Sequence, residues 1–294
     1  MRKLYYVLIT AAVSFLCYAL GFFIPVLGFF ILPFSSAILA ALFIKQGIVS
    51  GIAGIFASAL LVYYILPSGQ LFLIPFIIFV SLNALMLYYG IASGKNKIRI
   101  NLDSFAAVAV VSVIFLVVLS ANGFQFSGIF SPATAGFSKE ITLAVASVFD
   151  RDIYSVSVII SAVMVVLSYA YLSALKQKLK LKINKLPFFS EWRLPEPAVF
   201  VFIFALVFFM LAKAAKYETV SVVSENILIL ASFAYFVNGL AVGVYLFKGI
   251  RILLMVMYLF SFFYPPSAIF LGLADVWLNF RKKRGKDNED NIKA

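Results

Sequence analysis

Leu4–Phe23 reads LYYVLITAAVSFLCYALGFF, a run without a single charge. At about 1.5 Å of rise per residue, a helix of this length reaches about 30 Å, the thickness of a bilayer's hydrocarbon core. Backbone N–H and C=O groups in lipid must find partners within their own segment, so the run has to be a helix. The same pattern repeats along the chain as Val26–Phe43, Gly47–Leu66, Leu71–Ile91, Phe105–Ser120, Ile153–Leu175, Ala198–Lys213 and Asn226–Phe247. A last apolar stretch, Ile250–Phe280, is broken by Tyr264-Pro265-Pro266. Two prolines stop one helix and suit the first turn of the next, which predicts a tight helical hairpin there. The expectation is an all-α polytopic helical membrane bundle of about eight full spans plus that hairpin, so about eight to ten crossings. It forms one membrane domain over residues 1–285, with a disordered cytoplasmic tail at 286–294.

Composition agrees. Of the 294 residues 64% are hydrophobic and 12% charged, about half the charge of an average soluble domain. The net charge of +12 could suggest nucleic acid, but the basic residues sit in loops and tails. There they set orientation and meet anionic lipid, so a lipid bilayer is the expected partner and nucleic acid is not. Starting with Arg2 and Lys3 in the cytoplasm and alternating, the loops carrying Lys45, Lys95–Arg99, Lys176–Lys185 and Lys248–Arg251 all fall inside. The C-terminus then falls inside as well. The opening Met1-Arg2-Lys3 resembles a signal peptide, yet the apolar run is long and feeds another span, so an uncleaved first helix is expected.

The chain has no histidine and one cysteine, Cys17, which argues against zinc clusters, Cys–His nucleophiles and imidazole relays. No P-loop or Gly-x-Ser-x-Gly elbow occurs, and the acids Asp150, Asp152, Glu191 and Glu196 lie scattered in loops. Neither an enzyme nor a cofactor is expected.

Polar residues at membrane depth are the candidate functional positions. Pro33-Phe34-Ser35-Ser36 interrupts the second span, where Ser35 and Ser36 either re-satisfy a freed carbonyl or meet a substrate. Asn83 and Asn238 either contact a ligand or bond neighbouring helices. Asp275 is a cation ligand or a structural anchor, and on a continuous helix it would share a face with Asn279. Small-residue stripes, Gly47, Gly51, Gly54 and Ser58 in one span and Ser232, Gly239 and Gly243 in another, permit close helix packing or would mark a partner protein if exposed. The connection Ala121–Asp152 is either a lid over an outward cavity or a surface loop, with a short interfacial helix at Ser138–Phe149. Phe188, Phe189 and Trp192 are expected at the bilayer interface.

Three stretches, Trp192-Arg193-Leu194-Pro195, Asn238-Gly239-Leu240-Ala241-Val242 and Leu271-Gly272-Leu273-Ala274-Asp275 leading to Asn279-Phe280-Arg281-Lys282, resemble the YybS-like family of bacterial membrane proteins of unknown function. Asn238 stands where that family more often has glutamine. The family is distantly similar to the substrate-binding subunits of energy-coupling-factor vitamin transporters and to the cell-shape protein MreD. The resemblance implies a multi-pass protein of the bacterial cytoplasmic membrane, with a substrate cavity opening outward. Those transporter subunits carry an Ala-xxx-Ala patch on the first helix for their coupling partner; here Ala11 is followed four residues later by Phe15. Two functions fit: a transport-related protein that binds a small molecule, or a non-transporting scaffold that recruits partner proteins.

Overall fold

A computed structural model describes residues 2–66, 69–123, 139–179 and 188–281. Among them there is no strand. The elements are α1 (Arg2–Phe23), α2 (Pro25–Gln46), α3 (Ile48–Ile65), α4 (Gly69–Pro75), a π-helical stretch (Phe76–Leu82), α5 (Asn83–Ala92), α6 (Lys97–Ala121), α7 (Lys139–Leu179), a 3₁₀ turn (Phe189–Glu191), α8 (Ala198–Ala214), α9 (Glu218–Leu246), α10 (Arg251–Phe263) and α11 (Pro265–Leu278). Residues 124–138 of the expected lid lie outside the described residues, as do the tail at 286–294 and Lys180, Lys182 and Lys185.

Among the described residues six helical stretches are long and apolar enough to cross a membrane, with one more if α10 and α11, bent by 112°, count as a single span. Two of the expected spans correspond to shorter apolar stretches, Phe30–Gln46 within α2 and Ala198–Ala214. Pro265 and Pro266 occupy the first turn of α11, after Tyr264 ends α10. Two helices begin earlier than the apolar windows, α6 at Lys97 and α9 at Glu218. Polar first turns are helical too: Asn96 caps α6 by accepting the Arg99 N–H at 2.8 Å. The separate interfacial helix at Ser138–Phe149 is not formed. Instead α7 runs unbroken from Lys139 to Leu179, because no glycine or proline interrupts those residues. Its length of about 60 Å is twice the hydrocarbon thickness.

Contacts divide the chain into two units, residues 1–125 with 156–186, and residues 126–155 with 187–294. Unit 1 packs around Phe15, Tyr18, Leu39, Phe76, Leu87 and Tyr169. The stripe on α3 is used from within. Gly51 lies under the Phe43 ring, Gly54 under Leu42, and Ser58 bonds the Gly54 carbonyl at 2.8 Å and the Ala11 carbonyl at 3.4 Å. Gly47 instead caps α2 at φ 85°, a backbone conformation that glycine takes without strain. In unit 2 the backbones of α9 and α11 touch: a side chain at Gly239 would strike the Ala268 carbonyl, and one at Gly272 the Tyr235 carbonyl. Gly243 lies against Met257 of α10.

Candidate functional site

The site in unit 2 begins where α11 ends. Asn279 takes the left-handed conformation (φ 47°, ψ 52°) and its N–H closes on the Asp275 carbonyl at 3.0 Å. Asparagine tolerates this conformation better than most residues and terminates helices with it. The expectation that Asp275 and Asn279 share a helical face is therefore corrected: the helix stops at Leu278. The chain turns, and Arg281 comes back to Asp275.

Arg281 Nη2 lies 3.4 Å from Asp275 Oδ2 and donates to Asn238 Oδ1 at 3.1 Å. Its Nη1 donates to the Ser190 carbonyl at 3.1 Å and the Trp192 carbonyl at 2.5 Å. Asn238 Nδ2 donates to the Gly272 carbonyl at 3.0 Å, and Tyr245 donates to the Arg281 carbonyl at 2.9 Å. Asp275 is 1% exposed. Burial pushes the Arg281 guanidinium below its ordinary value, while the Asp275 carboxylate pulls the other way. Among the described residues, Asp275 Oδ1, Arg281 Nε and the buried Tyr235 hydroxyl have no hydrogen-bond partner. The charge pair itself thus keeps one acceptor and one donor open, and Asn279 Oδ1 is open as well.

The other candidate positions lie in unit 1, and each has protein partners. Ser35 bonds the Ser14 hydroxyl at 2.6 Å and donates to its carbonyl at 2.9 Å. Ser36 donates to the Val80 carbonyl at 3.0 Å. Asn83 Nδ2 donates to Ser168 Oγ at 3.0 Å, which donates to the Pro33 carbonyl at 2.9 Å. Asn83 Oδ1 has no partner among the described residues. Asn238 is in the other unit, so the four candidates form two groups, not one.

A further polar cluster in unit 2 escaped the sequence reading. Arg151 pairs with Glu225 at 2.5 Å, Asn226 Nδ2 donates to the Arg151 carbonyl at 3.0 Å, and its Oδ1 accepts the Ser155 N–H at 2.9 Å. The available signal was Glu225-Asn226 at the polar start of α9, immediately before its long apolar run.

Several helices of sufficient length and apolarity make this a multi-helix membrane protein. Residues 146–276 match a family described as predicted membrane protein (DUF2232). That segment contains Trp192, Asn238 and Asp275, and ends just short of Arg281. No curated protein and no solved structure matches the chain.

Proposed function

We propose that the chain is a transport-related membrane protein that holds a small molecule within its helical bundle, with the Asp275–Asn238–Arg281 cluster as the point of engagement. The observation that carries this is the buried ion pair with Asp275 Oδ1 and Arg281 Nε unpartnered. Ionisable groups in membrane segments are costly and concentrate at functional positions. A solute bearing both a donor and an acceptor would complete both atoms. The motif resemblance to the YybS-like family, and through it to vitamin-transporter subunits, points the same way. In unit 1, Ser35, Ser36 and Asn83 would serve a solute only by exchanging their protein partners, beginning at Asn83 Oδ1.

On this reading the chain crosses the bacterial cytoplasmic membrane about eight times plus the α10–α11 hairpin, with its N-terminus and lysine-rich loops in the cytoplasm. The scaffold alternative would recruit partners through small-residue stripes and basic loops; of the stripe residues, Gly51, Gly54, Gly239 and Gly243 face the chain's own atoms.

The test is thermal stabilisation of the purified protein by a panel of vitamins, nucleobases and lipid precursors. A compound that stabilises the wild type but neither Asp275→Asn nor Asn238→Gln is expected. Silence across the panel, with the wild type folded and monodisperse, would overturn the reading.

A further inference from the structure

Unit 1 carries a cleft of about 280 Å³ between α1, α2 and α7, separate from the cluster in unit 2. Phe34, Ile38 and Leu175 supply apolar walls, and Lys45, Tyr6 and Thr10 supply polar groups. Lys45 stands in the last turn of α2, exposed and without an ion-pair partner among the described residues. From Phe34 to Lys45 the helix rises about 16 Å, the depth of one leaflet of a hydrocarbon core about 30 Å thick. The volume lies at the small end for a ligand pocket, suited to a length of chain and not to a whole lipid.

We infer that this cleft is a binding site for an anionic phospholipid, one acyl chain lying along Phe34 and Ile38 and the headgroup phosphate on the Lys45 ammonium. Three features select this occupant over a soluble anion or a helix of another protein. The walls are apolar, the cation stands at one end, and the span matches a single leaflet. A lysine at a membrane surface adds attraction to anionic lipid, whereas a zwitterionic headgroup gains little from it.

The full-length protein, delipidated in neutral detergent, is titrated with phosphatidylglycerol or phosphatidylcholine of identical chains, and bound lipid is counted by native mass spectrometry. The wild type should hold phosphatidylglycerol about five-fold more tightly. Lys45→Ala should bring the two lipids level, Lys178→Ala should leave the preference intact, and Ile38→Trp should weaken both. Glycerol phosphate, the headgroup without chains, should not compete. Equal retention by the wild type, a preference surviving Lys45→Ala, or competition by glycerol phosphate would each overturn the assignment. Because Lys45 is exposed, its replacement leaves the fold intact and decides the question even if Ile38→Trp misfolds.

Discussion

Arg281 reaches Asp275 at 3.4 Å across the end of a helix, and the same guanidinium holds the carbonyls of Ser190 and Trp192. One side chain therefore ties together three segments distant in sequence: the stretch before α8, the middle of α9 through Asn238, and the close of α11. These are three stretches that the sequence singles out, each with a polar side chain beside or within an apolar run. Their shared geometry gives a physical reason for those residue types to occur together.

Removing one partner of a buried pair leaves the other charge uncompensated, which costs about 3–5 kcal/mol. Asp275→Asn and Arg281→Gln should each lower stability by that order, and the double variant by less than the sum. Thermal denaturation in detergent, arranged as a double-mutant cycle, measures the coupling. Additive losses would show that the pair does not act as a unit.

Asn238 accepts from Arg281 and donates to the Gly272 carbonyl. Asn238→Leu should cost about 1–3 kcal/mol, the penalty for leaving buried polar groups unpaired. The readout is the melting midpoint of the purified variant. An unchanged midpoint would mean that other groups take up both bonds.

Glycine positions should separate by what an added methyl meets. At Gly239 and Gly272 it strikes backbone of the facing helix, so alanine there should destabilise by about 1–3 kcal/mol or abolish a monodisperse product. At Gly54 it meets only side-chain methyls, closely that of Leu42, which can swing aside, and at ordinary contact that of Leu39. Size-exclusion profiles and melting midpoints of Gly54→Ala and Gly239→Ala should therefore diverge clearly.

Ser168 connects Asn83 to Pro33, so Ser168→Ala should cost about 0.6–2 kcal/mol, the range for hydrogen bonds between membrane helices. If Asn83 also meets a solute, ligand-induced stabilisation should fall in the same variant. A loss of stability with undiminished ligand response would assign the pair to packing alone.

Orientation is open to a direct measurement, since Cys17 is the sole cysteine. In a Cys17→Ser background, cysteine at Lys178 should react with an impermeant maleimide only after cells are opened. Labelling of intact cells would invert the topology.

Helices were legible because lipid dictates their length and hides their carbonyls, so hydropathy alone locates them. Their ends were less so, for the polar turns Lys97–Asp103 and Glu218–Glu225 continue the helix beyond the apolar window. Asp275 and Asn238 stood out as polar residues in apolar runs. Arg281 did not, because it opens a basic run and joins the site only through the left-handed turn at Asn279. Ser35, Ser36 and Asn83 carried two readings, and only their bonding partners, at sequence distances of 21 to 85 residues, could be seen in three dimensions.

The wide stretch Phe76–Leu82 follows Pro75 and serves two hydrophobic clusters at once, Phe76 and Val80 in one and Ile78 in the other. Each residue of a regular helix advances the azimuth by about 100°, so a single-residue deletion here would swing Asn83 and everything after it to a different bearing. Length variation in this short segment would thus re-aim the downstream half of the rod without moving its axis, like a rotary coupling on a shaft.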